Sequence, residues 1–203
     1  MTTVHSQPDS LATARPSASL DRLHHLAYVT KDTAATVAFY EGVLGLPLVN
    51  AVMDAEVPST RAPFPYIHVF FRLGSGETLA FFESPDLEER PSLRLPGYED
   101  FEHLAISVPT RADVDGWRNH LVSSGLDVVT DDHGIIYSIY FRDPVNDIRL
   151  EVTTTIDPTW NAQPQRAAEA VAAWTAARDA ATAAGADVSQ ALRDLARSRR
   201  PGS

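Results

Sequence analysis

The chain has 203 residues, 44% of them hydrophobic, which is enough for one substantial core or for two small modules that share a sheet. Its net charge of −10, from 27 acidic and 17 basic residues, disfavours a nucleic-acid partner because such a surface repels phosphate backbones. There are no cysteines, so disulfides, zinc fingers and iron–sulfur clusters are excluded, and a metal would need His, Asp, Glu or other oxygen ligands.

The first 20 residues are rich in Ser, Thr and Ala and lack the apolar centre of a secretory signal. We expect residues 1–20 to form a disordered leader. No apolar run approaches the roughly 20 residues that a membrane-spanning helix needs. The sequence therefore predicts a cytoplasmic protein without a membrane partner.

An internal repeat begins at His25 and again at His103. Both segments start His-Leu-Ala and then continue as a short half-buried strand pattern. A helical pattern follows each strand and stops at a glycine, Gly45 in the first repeat and Gly125 in the second. Three further strands are predicted in each repeat, at 46–52, 66–73 and 78–82 and at 126–130, 136–141 and 148–153.

Each repeat is thus predicted to be a βαβββ module, at residues 21–85 and 100–155 of one domain that spans 21–155. We predict an α+β fold in which the modules form a mixed eight-stranded sheet around a shared cleft. Residues 156–203 are predicted to form a C-terminal helical extension, because 165–183 is Ala-rich and a second helix with an apolar stripe follows. That stripe is expected to be buried against the core or against a second subunit.

Three parts of the sequence resemble the vicinal oxygen chelate superfamily. They are the repeated strands, the closing hairpin and the first-helix segment Phe39-Tyr40-Glu41-Gly42-Val43-Leu44-Gly45-Leu46. The hairpin contributes Arg142-Asp143-Pro144 and Arg149-Leu150-Glu151. The similarity covers about residues 20–155 and neither tail. It implies that the cleft between the modules is a metal site.

Within that superfamily, residues 133–151 are similar to the signature of type I extradiol ring-cleavage dioxygenases. As in that signature, His133 precedes Tyr140 by a short gap, an Asp-Pro pair follows, and the segment ends at Glu151. The segment departs from the signature at its turn, where Asn146 replaces the usual glycine and the run to Glu151 is one residue longer. Because Asn tolerates positive φ better than most residues, we expect the turn to be kept.

His25, His103 and Glu151 are the predicted metal ligands. The two histidines occupy the same position in the two repeats, and Glu151 lies on the last strand of the second repeat. Two imidazoles and one carboxylate are the ligand set of mononuclear non-haem Fe(II) enzymes, and they leave positions open for a bidentate diol and dioxygen. We therefore expect Fe(II), or Mn(II) as a substitute.

The resemblance also implies catalytic residues. Tyr140 is expected to hydrogen-bond a substrate oxygen and assist its deprotonation, and His133 to act as a proton donor near the metal. Tyr137 is a candidate for the pocket wall. The alternative interpretation of His133 and Tyr140 is a loop histidine and a packed tyrosine.

The first repeat decides between a three-ligand and a four-ligand metal site. Counting along the hairpins places Phe81 at the position equivalent to Glu151, with Glu83 two residues later on the same face. Glyoxalase I-like members use a glutamate from each repeat, so Phe81 favours three ligands. A register slip would instead bring Glu83 into the site.

Two further residues are candidates for the pocket. Glu77 stands where two-domain extradiol enzymes commonly carry a histidine, which departs from the family pattern for oxygen activation. His68, on the preceding strand, would compensate if it faces the cleft, or else belongs to the core.

These residues together predict a dioxygenase that cleaves a small vicinal aromatic diol with O2. The first alternative is a glyoxalase I-like isomerase or lyase with Glu83 as fourth ligand. The second is a metal-free protein that sequesters small molecules in the same cleft. Because superfamily modules often pair across subunits, a homo-oligomer is expected.

Overall fold

The computed structural model describes residues 22–88 and 97–199. The leader predicted for residues 1–20 lies outside the described residues. The described residues divide into two compact units, the first made of 22–88 with 144–146 and the second of 97–143 with 147–199. Each unit contains one of the two repeats.

The first unit is a βαβββ module, as the repeat predicts. Its elements are β1 (His25–Val29), α1 (Thr33–Val37), a π-helical segment (Ala38–Val43), β2 (Leu48–Asp54), β3 (Tyr66–Arg72) and β4 (Thr78–Glu83). The strands form one mixed sheet in the order β1-β4-β3-β2, in which β1 and β4 are parallel and the other pairs are antiparallel.

The second unit repeats this topology after a short helix. Its elements are α2 (Tyr98–Phe101), β5 (Leu104–Ser107), α3 (Arg111–Ser123), β6 (Val129–Asp132), β7 (Ile136–Arg142) and β8 (Arg149–Thr155). The sheet order is β5-β8-β7-β6, with β5 and β8 parallel. The α+β fold is therefore confirmed, with its strands arranged as two four-stranded mixed sheets.

Local sequence signals set the helix ends. The side chain of Asp32 caps α1, and Gly45 follows the helical segment with φ 66°. Helix α3 begins with a capping box, in which Thr110 and Asp113 each bond the backbone N–H of the other. Gly125, with φ 85°, follows α3 and turns the chain toward β6.

Each sheet has one face that packs against its helix. In the second unit, α3 lies against β7 and β8, where Val114 and Leu121 of the helix and Ile139 and Leu150 of the strands are fully buried. Strand alternation places the intervening side chains on the opposite face. We call that opposite face the site face; in the second unit it carries Ser138, Tyr140, Arg142, Arg149, Glu151 and Thr153.

The predicted C-terminal extension contains α4 (Pro164–Ala183) and α5 (Val188–Ser198), which pack against each other. The apolar stripe of α5, with Leu192 and Leu195, is half-buried. Within residues 22–88 and 97–199, no helix has both the length and the apolar character needed to cross a membrane.

Candidate metal centre

Two of the three predicted metal ligands lie together in the second unit. His103 precedes β5, and its Nε2 lies 2.8 Å from Oε2 of Glu151 on the neighbouring strand β8. The Nδ1 atom of His103 lies 2.8 Å from the carbonyl oxygen of Phe101, to which it donates. This bond fixes the ring and its tautomer, as such bonds do in metal-binding histidines, and Nε2 is directed at the carboxylate.

Glu151 is a buried carboxylate with its second oxygen also occupied. Its side chain is only 2% exposed, and Ser138 Oγ donates to Oε1 at 2.5 Å. Thr153 Oγ1 lies 2.8 Å from Ser138 Oγ and itself donates to the Tyr137 carbonyl. This hydroxyl pair satisfies Oε1 and directs Oε2 toward His103.

The predicted catalytic residues lie beside this pair. Tyr140 is the cross-strand neighbour of Glu151, and its ring centroid is 5.7 Å from that of His103. His133 lies between β6 and β7, and its Nε2 is 3.0 Å from the hydroxyl of Tyr140. Burial, followed by the negative charge of Glu151, raises the pKa of Tyr140 above its ordinary value, so the phenol stays protonated at neutral pH.

The third predicted ligand, His25, begins β1 in the first unit. Its Nδ1 lies 2.8 Å from Nδ1 of His24, and its ring centroid is 6.3 Å from that of His68 and 6.2 Å from that of Phe70. These contacts place His68 on the same sheet face as His25. His68 also stacks on Phe82 at 3.5 Å, and its Nε2 is buried with no hydrogen-bond partner among the described residues.

Burial of His68, and secondarily the positive charge of His25, lowers the pKa of His68 below its ordinary value of 6.5. The neutral imidazole is therefore the favoured form at this position.

The predicted equivalence of Phe81 and Glu151 is wrong by one residue. Ala105 pairs with Glu151 in the second sheet, and the matching pair in the first sheet is Ala27 with Ala80. Phe81 belongs to the core instead, where it is fully buried and its ring lies 4.8 Å from that of Tyr40.

Glu83 shares the helix side of the sheet with Phe81. Its Oε2 accepts a 2.6 Å hydrogen bond from the backbone N–H of Thr33 at the start of α1. A carboxylate is favoured there because the first turn of a helix leaves its N–H groups free and carries partial positive charge. The carboxylate of Glu83 thus serves α1, and Ala80 offers no ligand at the equivalent position.

Two other pocket candidates lie elsewhere. Glu77 is in the turn between β3 and β4, where a hydrogen bond from Ser75 lowers the pKa of its carboxyl and Arg22 lies 4.0 Å away. Tyr137 points to the helix side of its sheet, where its hydroxyl donates to Asp115 at 2.8 Å and Arg111 stacks on its ring.

The turn of the β7–β8 hairpin is kept, but the residue with positive φ is Asp147 at 58°, and not Asn146. The backbone N–H of Asp147 donates to the carbonyl of Asp143 at 2.8 Å. The extra residue is absorbed in this loop, so the ladder still pairs Arg142 with Arg149 and Tyr140 with Glu151.

The residues of the second unit fit a divalent cation through one imidazole nitrogen and one carboxylate oxygen, which are the donor types that Fe(II) and Mn(II) accept. Within the described ranges, no three His, Asp or Glu side chains form a group that could hold a metal ion. The participation of His25 is therefore a proposal.

Sequence reasoning missed Ser138, Arg149 and the carbonyl of Phe101. Ser138 is two positions before Tyr140 on β7, so alternation alone places it on the same face. Arg149 is likewise two positions before Glu151. Both could have been found from the hairpin register, whereas the carbonyl of Phe101 depends on the path of the backbone after α2.

Two βαβββ units, each with a mixed four-stranded sheet, are the repeated modules of the vicinal oxygen chelate fold. The model of the Glyoxalase/Bleomycin resistance protein/Dioxygenase superfamily matches residues 22–152, more than half of the chain, and the protein belongs to this superfamily. No curated protein sequence is significantly similar to the chain.

Similar solved structures include one with a TM-score above 0.5, which agrees with this fold. A glyoxylase/bleomycin resistance protein/dioxygenase domain from Frankia sp. EAN1pec has a TM-score of 0.53 and 19% identity, covering 68% of this chain and 99% of that one. A mutant of the fosfomycin resistance protein FosX from Listeria monocytogenes, in complex with Mn(II) and 1S,2S-dihydroxypropylphosphonic acid, has a TM-score of 0.48 and 18% identity, covering 68% and 97%. A glyoxalase family protein from Enterococcus faecalis has a TM-score of 0.47 and 25% identity, covering 66% and 98%.

Proposed function

We propose that the protein is an extradiol-type dioxygenase that cleaves a vicinal aromatic diol with O2 at a mononuclear Fe(II) site. The observation that carries this proposal is the buried Glu151 carboxylate, whose Oε2 lies 2.8 Å from His103 Nε2, beside the Tyr140–His133 pair. Buried ionisable groups are costly, so a buried carboxylate kept beside an imidazole favours a functional role, and metal binding is the role that this pair of groups suits.

In this proposal His103 and Glu151 hold the metal, and the third ligand is the one that the sequence repeat predicts, His25. Bound Fe(II), or Mn(II), would supply charge stabilisation for the diol oxygens and a template for dioxygen beside the ring. The chain prepares the ligands beforehand, because Phe101 orients the imidazole of His103 and Ser138 orients the carboxylate of Glu151.

Tyr140 and His133 are suited to move a proton. The phenol of Tyr140 has a raised pKa and is unsuited to act as a free base. It can instead accept a proton from the substrate hydroxyl while passing its own proton to Nε2 of His133, 3.0 Å away. The His133 side chain is 39% exposed, and the proton that it receives can therefore exchange with solvent. It can also return through Tyr140 to the product.

The glyoxalase I-like alternative needs a glutamate from the first unit. The described geometry favours the three-ligand proposal, because Ala80 stands at the equivalent position and Glu83 bonds the start of α1. The proposed site therefore holds the metal through three protein ligands and not four.

Metal content and oxygen consumption test the proposal together. Protein purified without oxygen should contain iron or manganese near one per chain, and a His103→Ala variant should lose it. His120→Ala, on the exposed side of α3, is the matched control and should retain the metal. The Fe(II)-loaded protein should then consume O2 with members of a catechol panel; the proposal fails if no member supports uptake.

A further inference from the structure

Arg149 borders the proposed site. It is the first residue of β8 and lies two positions before Glu151, so alternation places both side chains on the site face. Its guanidinium carbon lies 4.5 Å from the centroid of the Tyr140 ring, and that ring is 5.7 Å from the ring of His103. A cation therefore lies next to the residues proposed to handle the diol.

The ion pairing of Arg149 differs from that of its cross-strand neighbour Arg142. Arg142 lies 3.5 Å from a carboxylate oxygen of Glu99 and 3.4 Å from one of Asp147. Arg149 donates through Nη1 to the backbone carbonyl of Asp100, and no carboxylate of the described residues forms an ion pair with it. The positive charge of its guanidinium is thus not neutralised by a carboxylate of the described part of the chain.

The surroundings of Arg149 prepare it to bind an anion. Stacking on Tyr140 and the bond to Asp100 hold the plane of the guanidinium, which reduces the conformational freedom lost on binding. The side chain is half-buried, so an ion pair there is screened less than one in open solvent. A planar guanidinium with free N–H groups matches a carboxylate best.

We propose that Arg149 binds a carboxylate carried by the substrate, so that the substrate class is an aromatic diol with an acidic substituent. This inference rests on the proposed function. A single guanidinium balances a single negative charge, which favours a carboxylate over a doubly charged phosphate ester. Arg149 is thus a specificity-determining residue, and the diol chemistry itself belongs to the other residues of the site.

The test is a calorimetric titration, without oxygen, of the Fe(II)-loaded protein with catechol and with a dihydroxybenzoate that keeps the vicinal diol. The wild-type protein should bind the dihydroxybenzoate on the order of tenfold more tightly, since a charge-assisted hydrogen bond contributes that much. Arg149→Gln should lose this preference and keep its affinity for catechol. Arg142→Gln is the matched control and should keep the preference.

A second measurement does not depend on any variant. Added salt should weaken the binding of the dihydroxybenzoate by wild-type protein more than the binding of catechol, because only the former relies on a charge pair. Equal affinities for the two ligands, or a preference that survives in Arg149→Gln, would overturn the inference and leave the proposed function standing. Failure of both ligands to bind would overturn the proposed function and this inference with it.

Discussion

Ser138 donates a 2.5 Å hydrogen bond to the carboxylate of Glu151 from the neighbouring strand, and both side chains are buried. The bond occupies the oxygen that does not face His103, so it sets the orientation of the carboxylate without competing for Oε2. Because Glu151 is shielded from water, few other donors can replace Ser138. The serine is a positioning residue for the proposed ligand.

Replacement of Ser138 by alanine should therefore weaken metal binding while the fold is retained. We expect the affinity for Fe(II) or Mn(II) to fall about 10- to 100-fold, as for other groups that orient metal ligands. The free energy of unfolding should fall by about 1–3 kcal/mol, because a buried carboxylate oxygen loses its donor. Metal titration and urea denaturation measure the two effects.

The matched control is Ser107→Ala, which removes an exposed hydroxyl from β5 of the same sheet. It should leave both quantities unchanged. If the Ser138→Ala protein bound metal as tightly as wild type, the hydroxyl would have a purely structural role.

Replacement of Tyr140 by phenylalanine should slow the reaction and leave the metal in place. We expect kcat to fall about 100-fold, since the relay to His133 loses its central hydroxyl. Burial and the charge of Glu151 raise the pKa of Tyr140 above 10.0, the ordinary pKa of a tyrosine. The wild-type phenol therefore keeps its proton as the pH rises to 10.0. Oxygen uptake against pH, with metal content measured in parallel, tests this.

Tyr137→Phe is the matched control for Tyr140, because it removes a hydroxyl of the same strand from the helix side. The hydrogen bond to Asp115 should be lost with little effect on the unfolding free energy, because the pair is exposed to solvent, and kcat should be unchanged. A comparable loss of kcat in the two variants would contradict the role given to Tyr140.

Replacement of Glu83 by glutamine distinguishes the three-ligand site from a four-ligand isomerase site. The variant should bind metal as wild type does, because the carboxylate of Glu83 bonds Thr33 at the start of α1. Loss of its negative charge should lower the unfolding free energy by about 0.3–1 kcal/mol. Loss of metal from this variant would instead support the glyoxalase I-like alternative.

His68 should make the stability of the protein sensitive to acid. Its pKa is lowered in the folded state, by burial first and by His25 second, so the unfolded chain binds a proton more readily below the ordinary value of 6.5. Stability contributed by His68 is therefore present above pH 6.5 and is lost as pH falls toward the folded pKa.

His68→Phe tests this dependence and can retain the stacking on Phe82. As pH falls below 6.5, the unfolding free energy should decline more steeply for wild type than for the variant. Urea denaturation at a series of pH values gives the two curves. Parallel curves would show that protonation of His68 is not linked to unfolding.

The repeat, the module topology and the C-terminal helices could be predicted because alternation and glycine stops are local signals. The start of β2 was predicted two residues early, since Pro47 has no N–H to give to a ladder, although its carbonyl accepts from Arg72. The π-helical form of Ala38–Val43 was not predicted, because apolar spacing over so few residues does not separate it from an α-helix.

The pairing of Tyr140 with Glu151 lies within one hairpin, and the sequence was sufficient to bring those residues together. Glu83 and Phe81 were misplaced because counting across the β3–β4 turn set the register one residue too far. A shift of one residue exchanges the two faces of a strand, so that small error moved a core phenylalanine into the predicted pocket.

The ladder between β7 and β8 also makes the proposed chemistry dependent on correct folding. Leu150 and Glu151 are neighbours on opposite faces, so a pairing error of one residue would place the acid among the apolar side chains of the core and the leucine on the site face. The same pairing that completes the core therefore assembles the acid with its hydroxyl and imidazole partners. Misregistered chains would be unable to take up the metal, and metal uptake can serve as a quality test of refolded protein.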